Sequence, residues 1–492
     1  MHRLAIAALA VVLAAVGAPT ALADHDADEH SENMSHVANW DDDGTYRMGS
    51  DLAFWQDLAV LGKYDGLTLI DVADPARPRH LGTFDCNGNQ SDVTIWKDLV
   101  VVSVDSPMAD DSCDAPAASP VQYATDTHWE GLRIVDVSNP AAPEQIATVK
   151  TDCGAHTHTQ IPDLSHRGAD GKLDPRVLIY VSSYPLGGQG TTCSYATHRK
   201  VSIVEIPLRR PAEAQIVATP DVSPAMGCHD ITVFLPRQLA AAACITESQI
   251  WDISDPVDPV IVSRIRNPAM QIHHSSALSW DGDVLVLGDE MGGAAAAFGC
   301  LTSGNAPTGA LWFYDVSDPV NPQQLSSYTI PQDEASALCT AHNFNPVPLK
   351  DGGRVLVSAW YNGGTHVIDF DDPTDPQQLA WYKPREGKRG AAWSSYWYNG
   401  SIFTNNFDES YVPSVPSSRG FDVFQVDDER LKTKALTFTH LNPQTQESLK
   451  GLPPRSSGVG PQERAQARVR SAAEARSEAQ VPGALPFCLL QP

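Results

Sequence analysis

The stretch from Gly66 to Pro78, GLTLIDVADPARP, is written four more times along the chain: GLRIVDVSNPAAP from Gly131, SQIWDISDPVDP from Ser248, ALWFYDVSDPVNP from Ala310 and THVIDFDDPTDP from Thr365. Each copy is an apolar run closed by Asp, then an Asp-Pro or Asn-Pro step, then a second Pro three residues on. The apolar run reads as a strand buried on both faces. The Pro pair ends it, because Pro has no ladder donor and holds the preceding residue out of the helical region. Asp71, Asp136, Asp252, Asp315 and Asp369 are expected to fold their carboxylates onto the turn amides that follow, as turn formers rather than calcium ligands.

Extending the first copy both ways adds SDLAFW and LAVLGKY before it and RHLGTF after it. That is a unit of four short strands recurring about every 40 residues, the spacing of propeller blades. The innermost strands fall near Ser50, Ser91, His156, His229, His274, His342 and Ser394. The sequence therefore predicts an all-β fold, a seven-bladed β-propeller of four-stranded antiparallel blades over residues 35–447, with the third and seventh blades degenerate at the Asp-Pro turn. Length alone would suggest several domains, but stacked blades bury one continuous core. A ring also needs closing, since an open one leaves a bare strand edge. SHVANW, Ser35 to Trp40, copies the RHLGTF pattern and would complete the last blade; ALTFTH, Ala435 to His440, competes for that place.

A net charge of −26 excludes nucleic acid as a partner and disfavours an anionic membrane. Residues 1–23 have a basic start at Arg3, an apolar core from Leu4 to Val16 and an Ala-Leu-Ala ending, the pattern of an export signal cut after Ala23. That core is too short for a permanent span and no later segment is apolar enough, so no transmembrane segment is expected and the mature protein should be secreted. Residues 24–34, acidic with His25 and His30, and residues 448–492 read as a disordered leader and tail.

The nine cysteines agree with export. Cys86, Cys153, Cys228 and Cys339 precede innermost strands, whereas Cys113, Cys193, Cys244 and Cys300 follow second strands. Both connections emerge on one face of a blade, so sequential pairing is expected: Cys86 with Cys113, Cys153 with Cys193, Cys228 with Cys244 and Cys300 with Cys339. Cys488 is left over. Long insertions after the second strand, at Asp105–His128, Tyr184–Arg199, Asp289–Thr308 and Asn406–Arg419, fall on the same face, which marks it as the binding face. Trp55, Trp96, Trp251, Trp312 and Trp360 recur within blades and are expected in inter-blade packing.

Aligned on their apolar residues, the innermost strands begin GSDLAFW, QSDVTIW, AHTHTQI, CHDITVF, HHSSALSW and AHNFNPV. His156, His229, His274 and His342 share one register with Ser50, Ser91 and Ser394, on strands that converge at one mouth of the channel. His158 points to the same side as His156, and His273 to the other side unless the strand is bulged there. Neutral imidazoles gathered this way suit zinc, copper or iron. Water in a wet channel would satisfy a lone histidine equally well. Asp51, Asp92 and Asp230 alternate to the opposite face, where they could orient the imidazoles or close a turn. No nucleophile elbow or phosphate-binding glycine loop is present.

The copies LTLIDVADP, LRIVDVSNP and WFYDVSDP resemble the LVIVD repeat of secreted and surface-anchored bacterial β-propeller proteins, from Met34 to Glu447. The resemblance implies a propeller and an extracytoplasmic location, and no activity. The His-rich channel is also similar in architecture to the selenium-binding protein and methanethiol oxidase group, whose propeller holds copper through His; no ligand carries over residue by residue. Two functions are expected from these readings. One is a secreted binding or scaffold module that takes a protein, envelope or small-molecule ligand on its loop-rich face. The other is a metal-dependent oxidoreductase or hydrolase using His156, His158, His229, His274 and His342 around a divalent transition metal.

Overall fold

The computed structural model describes residues 28–42, 46, 48–185, 193–194, 198–291, 300, 307–331, 339–384, 391–407, 419–452, 459–460, 463–468 and 470. Residues 1–27, which take in the expected export signal and the first four residues of the expected leader, and residues 471–492 with Cys488 lie outside the described residues. Seven antiparallel sheets form the propeller. Their innermost strands are Gly49–Trp55, Val93–Trp96, Thr157–Asp163, Asp230–Phe234, His273–Leu278, Phe344–Pro348 and Ala391–Tyr398.

The repeated phrase forms the third strand and its exit turn. All five expected Asx contacts are made, from the amides of Ala73, Ser138, Ser254, Ser317 and Asp371 to Asp71, Asp136, Asp252, Asp315 and Asp369, at 2.8–3.0 Å. In every blade the third and fourth strands pair with a register shift. A bulge adds twist. Neighbouring blades bury their faces against one another, with Trp251, Trp312 and Trp360 inside three separate apolar clusters and Trp55 set edge-on to Trp96 at 5.4 Å. All four expected disulfides are present, Cys86–Cys113, Cys153–Cys193, Cys228–Cys244 and Cys300–Cys339.

Met34–Trp40 closes the ring, pairing antiparallel with Phe421–Val426 as the outermost strand of the seventh blade. The competing stretch Ala435–His440 does not take that place. Beyond it, His440–Leu441 adds to the first blade's innermost strand and Thr445–Gln446 runs parallel to that of the fourth. This segment spans the far ends of the innermost strands, and its side chains complete their ladders. Asn442 exchanges both hydrogen bonds with the backbone of Ile95, and Gln446 does the same with Leu278. The channel is thereby crossed at the end opposite the histidine register.

Parts of the segments flanking the ring are built into it. Glu29–His30 adds a fifth strand to the sixth blade, and Asp28 accepts hydrogen bonds from Tyr382 at 2.7 Å and Arg419 at 2.8 Å. Backbone pairing and a buried ion pair hold these residues in spite of their low apolar content. In the tail, residues 463–468 are helical. Arg464 donates to Asp252 and to the Asp258 carbonyl, and Arg468 pairs with Asp258, so the acidic turn of the fourth blade captures this segment. No helix among the described residues is long and apolar enough to cross a membrane.

Candidate metal centre at the channel head

Three of the four histidines of the register are fixed through their backbone amides. The amides of His156, His229 and His342 donate to the second strands of their own blades, at Ser182, Ala243 and Ala359. Hydroxyls of the preceding blade then hold the carbonyls: Thr157 donates to His229 at 2.6 Å and Ser275 to His342 at 3.1 Å. Serines in the register staple blades in the same way, Ser394 donating to the carbonyl of Ser50 and Ser50 to that of Ser91. The rim is therefore a stiff frame. At the fifth blade the register shifts between His273 and Ser275. That bulge sends His273 to Ser248, 2.8 Å away, and leaves His274 to face the channel.

Four imidazoles from four blades then stand in file. Ring centroids are 4.3 Å apart for His156 and His229, 3.8 Å for His229 and His274, and 4.5 Å for His274 and His342. Their exposures are 6, 5, 1 and 1% in chain order. His156 Nε2 lies 2.8 Å from His229 Nε2. Both ring nitrogens of His274, and Nε2 of His342, are buried without a hydrogen-bond partner. Burial, reinforced by the other imidazoles, holds His229 and His274 well below the usual histidine range, and burial pushes His342 down to about 3. These rings are neutral at physiological pH, the form that binds metals.

Glu290, immediately after the fifth blade's second strand, completes the group. Its carboxylate lies 3.6 Å from His274 Nε2 and 3.7 Å from His342 Nε2, and accepts from the Tyr361 hydroxyl at 2.6 Å. One ligand atom each from His229, His274 and Glu290 falls within 4.8 Å of the others, a spacing that a single ion can bridge. Asp105 at 2.9 Å orients His156 through Nδ1, while the His342 Nδ1 is held by the Trp393 carbonyl. Tyr184 walls His156 and His229, with centroids 5.0 and 5.6 Å away.

Sequence reasoning missed Glu290 and Asp105. Asp105, Tyr184, Glu290 and Tyr361 all stand just beyond the apolar run of a second strand, so the register argument applied to those strands would have found them. Conversely, the structure does not bring His158 into the group. It does share a side with His156, but one layer deeper, where Ser103 and Thr94 take both ring nitrogens at 2.8 Å. Of the three aspartates, Asp230 lies 3.4 Å from His229 Nδ1. Asp92 instead receives the His158 amide, and Asp51 is tied to Gln444, Tyr396 and Asp92.

The molecule is thus a seven-bladed β-propeller with buried imidazoles at one end of its channel. Residues 125–151, which include the second copy of the repeated phrase, match the family model of the LVIVD repeat, consistent with an LVIVD-repeat family. Comparison with curated proteins finds no match.

Proposed function

We propose that this protein is a secreted binding or scaffold propeller that holds a divalent transition metal at the channel head, through His229, His274 and Glu290 with His156 and His342 beside them. The supporting observation is His274. A fully buried imidazole with neither nitrogen hydrogen-bonded costs free energy that a metal would recover, and two more neutral imidazoles, His229 and His342, flank it. Zinc, copper and iron all suit this donor set. Ligand access is assigned to the loop-rich face, because residues 440–446 cross the other end. Four disulfides and the pattern of residues 1–23 support export.

The second reading, a metal-dependent oxidoreductase or hydrolase, is favoured by Glu290, a carboxylate beside two imidazoles with a tyrosine hydroxyl to hold it. A bound metal would supply Lewis acidity or a redox couple there. Metal analysis of protein purified without a histidine tag tests the centre. One equivalent of a transition metal is expected, retained through dialysis and lost in a His229→Ala/His274→Ala variant that keeps its circular dichroism. Native protein without stoichiometric metal, and with no uptake on titration, removes both readings of the site.

A further inference from the structure

A second group of donors lies on the third blade, away from the imidazole file. Asp152 and Cys153 are adjacent in the connection entering that blade, and Cys193 precedes His198 by five residues in the insertion after its second strand. Cys153 and Cys193 form a disulfide with Cα atoms 5.0 Å apart. One carboxylate oxygen of Asp152, the sulfur of Cys153 and one ring nitrogen of His198 all lie within 4.8 Å of one another.

The tautomer of His198 gives this cluster its meaning. Nε2 lies 3.0 Å from the Ser183 hydroxyl and 3.1 Å from the Ser183 carbonyl; the carbonyl can only accept, so the tautomer that serves it carries the proton on Nε2. In that tautomer Nδ1 is a bare lone pair. It is buried, has no hydrogen-bond partner, and lies 3.9 Å from Asp152 Oδ2. A lone pair directed at a carboxylate gains nothing from it unless a cation stands between. Donation of the other ring N–H to a backbone carbonyl is also how metal-binding histidines are held. Lys200 Nζ, 2.6 Å from the same oxygen, balances Asp152 while the sulfurs are joined; its side chain is 37% exposed and can turn to water.

We propose that Cys153, Cys193, His198 and Asp152 form a thiol-gated metal site, closed as a disulfide and able to bind a zinc-like divalent ion once reduced. Two thiolates, an imidazole and a carboxylate make a tetrahedral donor set for such an ion. The chemistry balances with a water-soluble phosphine as reductant. The phosphine takes oxygen from water to become the phosphine oxide, the S–S bond breaks to two thiols, and the two thiol protons leave as the metal binds. Ser183, which holds His198, precedes Tyr184 against His156 and His229, so occupancy here would be felt at the channel head.

Cobalt(II) is the probe, because thiolate ligation gives a near-ultraviolet charge-transfer band that imidazole and carboxylate ligands at the channel head do not. Phosphine-treated, refoldable protein should show this band with tetrahedral d–d absorption, displaced by zinc. His198→Ala should weaken binding roughly 100-fold, one ligand's share of a structural site. Cys153→Ser/Cys193→Ser should abolish the band, and Cys86→Ser/Cys113→Ser should retain it. Should reduction unfold the chain, Cys193→Ala frees Cys153 with no reductant, and a single-thiolate band dependent on His198 is expected. Folded Cys193→Ala protein without that band, or a band that persists in His198→Ala at full affinity, overturns the proposal.

Discussion

At the scale of the residue, what distinguishes the rim histidines is how little each can do alone. His156 has Asp105 on Nδ1, so its Nε2 is aimed at His229. A carboxylate behind a metal-binding imidazole raises its basicity and fixes its direction. Asp105→Asn is therefore expected to lower metal affinity about 10- to 100-fold while leaving the fold intact, measured by chelator competition. His366 provides a contrast outside the rim. It is fully buried in the sixth blade, with Nε2 on the Gly363 carbonyl, and burial lowers it to about 4. Between pH 6.5 and 4 the unfolded chain binds this proton and the fold does not, so stability falls as pH falls through that window, by up to about 3 kcal/mol. His366→Gln should flatten the acid side of a denaturation-midpoint profile; an unchanged slope would show that other groups govern it. The histidine register was legible because period and alternation are properties of the chain itself. The partners were not, since Ser103 and Thr94 around His158, or Tyr361 under Glu290, meet only across blades.

Strands and turns show a similar division. The Asp-Pro turns could be read residue by residue, because an Asx turn closes within three positions of one chain segment. The crossing segment could not. Asn442 and Gln446 succeed there by offering one amide donor and one acceptor to the unpaired backbone of Ile95 and Leu278, a match between groups 347 and 168 positions apart. No local pattern announces it. Gln446→Ala would leave the amide and carbonyl of Leu278 buried without partners, and the loss is expected to be about 2 kcal/mol by urea denaturation. Gln446→Glu, which keeps an acceptor and loses the donor, should fall further, since it buries a charge beside that carbonyl. Equal, near-zero losses in both variants would mean that water replaces the side chain there, leaving the channel open at both ends.

For the whole molecule, the question is how a chain of 492 residues avoids an open seam. The four principal strands of six blades are continuous in sequence, and the seventh borrows its outermost strand from the other end of the protein. The seam is reinforced by the leader on the sixth blade and by Arg419, whose guanidinium reaches Asp28 on one side and Asp422 on the other, with His36 on the same Asp422. These two fixings differ in kind and should fail differently. Deleting residues 28–40 removes the buried Met34 and Ala38 and the half-buried Val37 and Trp40, about 5 kcal/mol of apolar burial, and bares the edge of Phe421–Val426 to other chains. That variant is expected to associate, visible as concentration-dependent scattering, despite a net charge that keeps the intact protein apart. Asp28→Ala leaves every strand paired and strips Arg419 of one carboxylate and the Tyr382 hydroxyl of its acceptor, a loss on the order of 3 kcal/mol. It should melt earlier and stay monomeric. If the deletion also stays monomeric and folded, the other blades alone hold the ring, and the borrowed strand is a covering rather than a clasp.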